Sequence, residues 1–296
     1  MRIKAVIRSF RSSFLILTPV CVFLGVSSVV ANHSDVDLFL LSLTLLGALC
    51  AHISVNTLNE YFDFKSGLDL TTIRTKFSGG SGSIPENPEI ARHVLIVGIA
   101  SLITTMTIGC FFVWQFGLAI IPIGLVGILL IITYTEWINR QPILCLIAPG
   151  LGFGTLMVVG TQFVLEGEYT SYSWLSSFVP FFLVNNLLLL NQYPDISADT
   201  KIGRKNFPIA YGIKKSNLIY ALFVLGTVMV IITSILKGYF PTLSLIALLP
   251  IPLSLFSLSG AIRYEKDIGN HPQYLASNVA ATIITPILLG ASLAYS

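Results

Sequence analysis

The sequence predicts an all-α, polytopic membrane protein with about nine transmembrane helices around a central cavity. Of its 296 residues, 54% are hydrophobic and only 10% are charged, a composition too apolar for a soluble domain of this length. The mean hydropathy is +0.82. The apolar residues form runs close to the roughly 20 residues that a helix needs to cross a bilayer. We expect one transmembrane domain, residues 1–296.

The nine predicted spans follow one another along the whole chain. They are 14–31, 38–58, 93–113, 117–135, 144–165, 174–192, 217–236, 242–262 and 274–295. The first run resembles a signal peptide, because basic residues precede it. Its length and the eight runs that follow it favour a first transmembrane helix.

The basic residues are distributed unequally between the two sides of the predicted membrane. With loops assigned to alternate sides, 16 of the 17 lysines and arginines fall on the side of the N-terminus, and only Lys237 falls on the other. The positive-inside rule then places the N-terminus in the cytoplasm and the C-terminus on the opposite side. A wrong number of spans would scramble this asymmetry, so it also favours nine helices.

Two acidic segments at the ends of long apolar runs carry most of the candidate chemistry. The first runs from Asn59 through Asp63 to Asp69, and the second from Asn191 through Asp195 to Asp199. Carboxylates beside a bilayer are unfavourable unless they are paired, hydrated or metal-bound. Both segments are predicted in long cytoplasmic loops, 59–92 and 193–216, after helices that run in the same direction. The paired segments are therefore expected to face a shared cavity on the cytoplasmic side.

The spacing of these side chains indicates oxygen ligands for a hard cation. Residues four apart share a helix face, so Asn59 and Asp63 would present their oxygens together, and Asn191, Asp195 and Asp199 could present three along one stripe. Gly67 and Pro194 interrupt regular helix, and Asp69 and Asp199 are expected on loop or kinked backbone. Asp and Asn oxygens suit Mg²⁺, which proteins usually hold with one or two carboxylates plus substrate phosphates. Two opposed clusters would thus suit a diphosphate bridged by Mg²⁺.

Basic residues and a glycine-rich run accompany the acidic segments. Arg74 and Lys76 follow the first; Lys201, Arg204 and Lys205 follow the second. Such cations neutralise phosphate oxygens and stabilise a departing diphosphate. The backbone of Ser78–Ser83, with three glycines, could approach an anion closely. Membrane topology alone would also explain the charges, and a flexible connector would explain the glycines.

Together, the two segments resemble the paired aspartate-rich motifs of the UbiA superfamily of intramembrane prenyltransferases. The first resembles the motif Asn-Asp-x-x-Asp, with Glu60 where aspartate is usual. The continuation to Asp69 and the runs 77–82 and 193–205 are most similar to the 1,4-dihydroxy-2-naphthoate prenyltransferase branch. The resemblance implies a UbiA-like fold and Mg²⁺-dependent transfer of a prenyl group from a polyprenyl diphosphate to a small aromatic acceptor. Dihydroxynaphthoate, which leads to menaquinone, is the leading acceptor.

The resemblance also implies roles for individual residues. The metal ligands would be Asn59, Asp63, Asp69, Asn191, Asp195 and Asp199. The catalytic residues would be Asp63, Asp195, Arg74 and Lys201, and the substrate-binding residues would be Asn59, Asn191, Lys76 and Arg204. Membrane lipid is expected around the protein, whereas neither nucleic acid nor an obligate protein partner is indicated.

Other functions remain open from the sequence. An ion-coupled membrane transporter could use the same acids to bind a cation, although transporters usually place such charges near the bilayer midplane. Prenyl transfer to a non-quinone acceptor, such as another phenol, a glyceryl phosphate, a lipid or haem, is a further alternative. A CDP-alcohol phosphotransferase ranks last, because the aspartate pattern of that family is not found in the sequence.

Overall fold

The structure, a computed structural model, describes residues 2–295, and every regular element within that range is helical. The α-helices are α1 (Arg2–Arg8), α2 (Leu17–Ala31), α3 (Leu38–Lys65), α4 (Leu68–Thr71), α5 (Ser83–Glu86), α6 (Ala91–Phe116), α7 (Ile121–Thr133), α8 (Pro142–Gly150), α9 (Val158–Glu166), α10 (Ser171–Asn191), α11 (Ile196–Lys201), α12 (Phe207–Tyr211), α13 (Ile213–Leu236), α14 (Ile251–Tyr264) and α15 (Pro272–Ala294). A π-helix, Leu151–Met157, joins α8 to α9.

Seven helical segments of the described chain are long and apolar enough to cross a membrane. They are Leu38–Lys65, Pro88–Thr133, Pro142–Glu166, Ser171–Asn191, Ile213–Leu236, Thr242–Asn270 and Pro272–Ala294. The prediction of an all-α, polytopic membrane protein is therefore confirmed. The count of nine spans is not confirmed, because the predicted third and fourth spans lie in one segment and α2 has only 15 residues.

The segment Pro88–Thr133 changes direction at Gly117, whose φ of 73° ends α6. Helix α6 packs along α3, where the hydroxyl of Thr105 donates to the carbonyl of Gly47 over 3.1 Å. Beyond Gly117 the chain runs back along α3 towards its other end. There the side-chain amide of Asn59 donates to Thr135 Oγ1 over 3.3 Å. The break thus brings α7 alongside the cavity that α3 also lines.

Helix α10 lies at the centre of the fold and packs against α2, α8, α13 and α15. Its polar side chains bond to neighbouring backbones. Asn185 Oδ1 accepts the amide of Gly150 over 2.6 Å, and Asn186 Nδ2 donates to the carbonyl of Tyr220 over 3.0 Å. Interhelical hydrogen bonds of this kind satisfy polar groups within an apolar bundle, and they fix α8 and α13 against α10.

Two glycines allow the π-helical region to contact α10 backbone to backbone. A Cβ on Gly150 or Gly154 would overlap backbone atoms of Phe181. Small residues permit such close approach, and van der Waals packing of this kind is a main source of helix association in membranes. The close contact fixes the wall of the cavity formed by Phe153 and Met157.

Gly154→Ala should therefore destabilise the protein, by about 1–3 kcal/mol, because overpacking displaces the α10 backbone. Gly124→Ala on α7 is the matched control, because no atom outside its own helix lies within 4 Å of the added Cβ. Helix propensity alone would favour alanine at both positions. Thermal unfolding of both variants in the same detergent tests the packing argument. Equal stabilisation by the two substitutions would contradict it.

The two acidic segments lie at the same end of the bundle, here called the acidic end. The prediction that residues 59–92 form a loop is wrong for its first part, because α3 continues to Lys65 and carries Asn59 and Asp63 on its last turns. Regular helix is interrupted near Gly67 and Pro194 as predicted, but the outer acids lie on short helices after these breaks and not on loop backbone. Asp69 lies on α4 and Asp199 on α11, two short helices that begin after breaks in the chain.

Candidate active site

A cavity of about 400 Å³ extends from the acidic end into the bundle. On α3 its lining residues run from Thr44 to Asp63, which at about 1.5 Å per residue spans about 28 Å. Its inner walls are mostly small or apolar and include Ala48, Ala51, Val55, Phe112, Ile123, Gly124, Gly127, Ile131, Phe153, Leu156 and Met157. The cavity therefore joins a polar mouth to an apolar interior.

The first acidic segment contributes two groups of ligand-type side chains to the mouth. Asn59 and Asp63 line the cavity from the end of α3, and Asp69 lines it from α4. Gly67, with a φ of 81°, ends the turn between these helices. This reversal brings Asp69 to the same side as Asp63, which the spacing of the sequence alone did not predict.

The second acidic segment faces the first from α10 and α11. Asn191 is the last residue of α10, Asp195 precedes the first turn of α11, and Asp199 lies within α11. All three line the cavity. The chain bends between Asn191 and Ile196, so the three side chains do not form a stripe on one continuous helix. They converge because a short second helix folds back over the mouth.

Arg204 joins the two acidic segments. Its guanidinium bonds to Asp63, and its Nη1 lies 3.0 Å from Asp199 Oδ1. Burial acts to lower the pKa of Arg204, but the charges of Asp63 and Asp199 outweigh it and raise that pKa. Asn206 Nδ2 donates to the other oxygen of Asp199 over 3.0 Å. The arginine thus neutralises one carboxylate from each segment.

The glycine-rich segment Ser78–Ser83 also contacts both acidic segments. The amide of Gly79 donates to Asp195 Oδ2 over 3.1 Å. A Cβ on Gly80 would lie 3.2 Å from Asp69 Oδ1 and 3.4 Å from Glu60 Oε1, so the backbone passes directly beside these carboxylates. The segment is therefore part of the site and not only a connector.

The half-buried Arg11 and the buried Glu60 form an ion pair that sequence reasoning did not identify. Arg11 Nε lies 2.8 Å from Glu60 Oε1, and Arg11 Nη2 donates to Asn59 Oδ1 over 3.1 Å. In the sequence, Arg11 was one of several basic residues before the first span, a position that topology explains. Its φ of 51° belongs to a turn that directs the N-terminal segment over the mouth, and no sequence signal indicated this turn.

Several oxygens at the mouth have no hydrogen-bond partner within residues 2–295. They are Asp69 Oδ2, Asn191 Oδ1, Gln192 Oε1 and Asp195 Oδ1. All are buried acceptors on residues that line the cavity, and buried acceptors without partners are unfavourable. A cation or a donor group in the mouth would satisfy them.

These oxygens fit Mg²⁺ when substrate oxygens complete its coordination. Among the described residues, no three His, Cys, Asp or Glu side chains converge as a metal-binding group, so the protein alone provides no complete cage. Mg²⁺ usually keeps waters or phosphate oxygens and takes only one or two carboxylates from the protein. The unpartnered oxygens on the two sides of the mouth match that requirement.

The two carboxyl groups that have an unpartnered oxygen, those of Asp69 and Asp195, are weaker acids than ordinary aspartates. Burial and the nearby charges of Asp63 and Glu60 raise the pKa of Asp69 to about 7. Burial and the charge of Asp199 raise the pKa of Asp195 to about 7, against the opposing amide of Gly79. Both groups would gain from a cation, because a positive charge nearby favours the carboxylate.

The remaining predicted basic residues lie beside the mouth or away from it. Arg74 bonds to Glu86 over 3.3 Å and to the backbone carbonyl of Asp69 over 3.4 Å, outside the cavity lining. Lys76 and Lys201 are exposed and do not line the cavity. Their assigned roles stay predictions.

The chain is similar in sequence to known prenyltransferases. The profile of the UbiA prenyltransferase family matches residues 18–278. A 1,4-dihydroxy-2-naphthoate octaprenyltransferase from Bacillus subtilis (strain 168) is 28% identical over 237 residues, which cover 79% of this chain and 74% of that protein.

Solved structures share the fold over nearly the whole chain. A digeranylgeranylglyceryl phosphate synthase superposes with a TM-score of 0.71 at 13% identity and covers 100% of this chain and 99% of its own. A UbiA homolog from Archaeoglobus fulgidus bound to DMAPP and Mg²⁺ gives a TM-score of 0.69 at 19% identity and covers 98% and 99%. At these identities the likeness concerns the fold.

Proposed function

The chain belongs to the UbiA prenyltransferase family and is a membrane prenyltransferase, and from that membership we propose that it transfers a polyprenyl group to 1,4-dihydroxy-2-naphthoate in an Mg²⁺-dependent reaction. One observation carries the proposal: the cavity joins unpartnered oxygens of the acidic segments to an apolar interior, and mouth and interior together extend about 28 Å along α3. A polyprenyl diphosphate has the matching chemistry, with an anionic head and an apolar tail. The Bacillus subtilis relative favours the naphthoate acceptor.

The two sides of the mouth would hold the metal and the diphosphate between them. We assign Asn59, Asp63 and Asp69 to one side and Asn191, Asp195 and Asp199 to the other. Bound Mg²⁺ would neutralise the charge that develops on the leaving diphosphate.

The basic residues and the apolar interior would have separate tasks in the reaction. Arg204, which lines the mouth, would bind a diphosphate oxygen, and Arg74 at its edge would assist departure of the diphosphate. Lys76 and Lys201 could reach the site only if their exposed side chains reoriented. The apolar walls would exclude water from the allylic cation, which water would otherwise quench.

The orientation of the protein in the membrane is part of the proposal. All basic residues but Lys237 are on the N-terminal segment or between predicted spans on the same side, and the positive-inside rule assigns that side to the cytoplasm. The mouth would then receive Mg²⁺ and a soluble acceptor from the cytoplasm. Family membership as a prenyltransferase disfavours the ion-coupled transporter that the sequence alone left open.

A transfer assay on the purified protein in detergent tests the proposed function. Labelled diphosphates from geranyl to farnesylgeranyl would be combined with dihydroxynaphthoate, 4-hydroxybenzoate, homogentisate or glyceryl phosphate, with and without Mg²⁺. Mg²⁺-dependent prenylation of dihydroxynaphthoate is the expected result. Prenylation of a different acceptor would overturn the acceptor assignment, and equal transfer in the presence of excess chelator would overturn the metal dependence.

Binding of Mg²⁺ with the donor should weaken as the pH falls. The carboxyl groups of Asp69 and Asp195 have pKa values raised to about 7, and a metal binds the deprotonated form, so binding releases protons. We expect the apparent affinity to be about constant above pH 8 and to fall by about tenfold or more per pH unit below pH 7. Calorimetry with an unreactive donor analogue in buffers of different ionisation enthalpy would measure both affinity and proton release. An affinity independent of pH between about 5 and 8 would contradict the assignment.

A further inference from the structure

Both oxygens of the Glu60 carboxylate accept hydrogen bonds from the protein. Its Oε1 accepts the amide of Ser81 over 2.7 Å and Nε of Arg11 over 2.8 Å, and its Oε2 accepts the hydroxyl of Ser81 over 2.6 Å. The Glu60 residue is completely buried. A buried carboxylate that already has a cation and two further donors has little to gain from a metal ion. In this it differs from Asp69 and Asp195, which each have an unpartnered oxygen.

One set of these bonds fixes the orientation of Asn59. Because Glu60 binds Nε of Arg11, the same guanidinium can donate from Nη2 to Asn59 Oδ1 over 3.1 Å. The amide nitrogen of Asn59 donates in turn to Thr135 on the other side. The Asn59 side chain is thus held at both of its ends, and one of the two bonds depends on Glu60.

The other set fixes the glycine-rich segment across the mouth. Ser81 is bonded to Glu60 through both its backbone and its side chain, and two residues earlier the amide of Gly79 donates to Asp195. The intervening Gly80 passes beside Asp69 Oδ1, where a Cβ would lie at 3.2 Å. The contact between Glu60 and Ser81 therefore determines where a donor to the second acidic segment lies.

We infer that Glu60 is a positioning residue and not a metal ligand: it orients Asn59 through Arg11 and Asp195 through Ser78–Ser83. The inference rests on the proposed function of those two ligands. It also explains why glutamate replaces the aspartate that is usual at this position. Aspartate is shorter by one carbon–carbon bond, about 1.5 Å, so its carboxylate would withdraw from Ser81 and Arg11.

The substitutions Glu60→Asp and Glu60→Gln test the inference with two kinds of readout. Hydrogen exchange of the amides in residues 78–83 needs no catalysis, and steady-state kinetics would give the KM for the donor and the half-saturating Mg²⁺ concentration. For Glu60→Asp we expect at least about tenfold faster exchange and a KM raised by about 10–100-fold. The half-saturating Mg²⁺ concentration should rise together with the exchange rate, because Asn59 and Asp195 lose the contacts that orient them.

Ser81→Ala provides an independent variant, because it removes one of the two bonds from Ser81 and leaves the charge of Glu60 in place. Its exchange and KM should change in the same direction as in Glu60→Asp, by a smaller factor. Glu89→Gln is the matched control, since Glu89 is an exposed carboxylate in the same segment between α3 and α6. It should match the wild type in exchange and kinetics.

Two outcomes would overturn the inference. The first is wild-type exchange and wild-type KM in Glu60→Asp, since a carboxylate that acts as a ligand can be kept by the shorter side chain. The second is an increase of tenfold or more in half-saturating Mg²⁺ for Glu60→Gln, with exchange unchanged. If the wild-type protein transfers no prenyl group, the proposed function fails, but the exchange measurement still tests the positioning contact.

Discussion

Asp195→Asn should abolish prenyl transfer while the protein still folds. The substitution keeps the shape of the side chain and an oxygen that can accept the amide of Gly79, but it removes the charge behind the unpartnered Oδ1. We expect kcat/KM to fall by at least about 1000-fold, which corresponds to about 4 kcal/mol of transition-state stabilisation. Initial rates with saturating Mg²⁺ and purified, monodisperse protein measure the effect.

The same substitution should not destabilise the protein in the absence of metal. The pKa of Asp195 is raised to about 7 in the fold, so the fold favours the protonated carboxyl group, and the stability present at low pH is lost as the pH rises through 7. Asparagine does not titrate. The melting temperature of Asp195→Asn without Mg²⁺ should therefore equal or exceed that of the wild type near pH 8 and lose this advantage near pH 5.

Asp267→Asn is a suitable control for Asp195→Asn. Asp267 is exposed and lies in the 3₁₀-helix Glu265–Asn270 after α14, where the nearby Gly269 approaches Pro194. It should retain wild-type transfer. Wild-type turnover in Asp195→Asn would remove Asp195 from the proposed metal site, and a large loss of melting temperature would show that its charge supports the fold instead.

Arg204→Gln should lower both stability and activity. Arg204 is largely buried and bonds to Asp63 and Asp199 at once, so its removal leaves two buried carboxylates without their cation. Loss of one partner from a buried ion pair typically destabilises a protein by about 3–5 kcal/mol. Thermal unfolding in detergent and donor binding would report the two effects separately.

A second substitution should recover stability without recovering activity. In Arg204→Gln combined with Asp199→Asn, one of the uncompensated carboxylates is gone, so the melting temperature should return part of the way to that of the wild type. The melting temperature of Arg204→Lys should lie between those of Arg204→Gln and the wild type. Its ammonium keeps the charge but cannot reproduce the two-pronged geometry of a guanidinium. Lys205→Gln, at an exposed neighbour, serves as the control. Unchanged stability in Arg204→Gln would refute the bridging role.

The fold class was predictable because membrane solvation imposes a strong pattern on sequence. Long apolar runs must be helical in hydrocarbon, since every backbone group must be satisfied within the segment. The number of spans was less accessible. The boundary between the third and fourth predicted spans, at 113–117, coincides with the end of α6 at Gly117, although both spans lie in one long helical segment. The apolar run of the first span predicts a full crossing, whereas α2 has only 15 residues.

The acidic residues of the candidate site were predictable from their chemistry, but the contacts among them were not. Carboxylates are conspicuous in a chain with 10% charged residues, and the spacing Asn-x-x-x-Asp occurs in both segments. The role of Arg11 was not predictable from the sequence, because the positive-inside rule already explains a basic residue before a first span. The partners of Glu60 depend on how residues 78–83 fold back, which local sequence does not specify.

The exposure of Lys76 and Lys201 shows the limit of inference from neighbouring positions. Both follow an acidic segment closely in sequence, yet both side chains lie outside the cavity lining. Arg204, three residues beyond Lys201, is the cation that reaches both acidic segments. The turn between α11 and α12 determines which of these side chains points inward.

The length of α3 sets the depth at which the chemistry would occur. Its 28 residues extend about 42 Å, whereas the hydrocarbon layer is about 30 Å thick. A helix that is upright and starts at one boundary of this layer therefore carries its last turns about 12 Å past the other. A prenyl diphosphate bound there would keep its head at the level of the lipid headgroups and its tail at the level of the acyl chains.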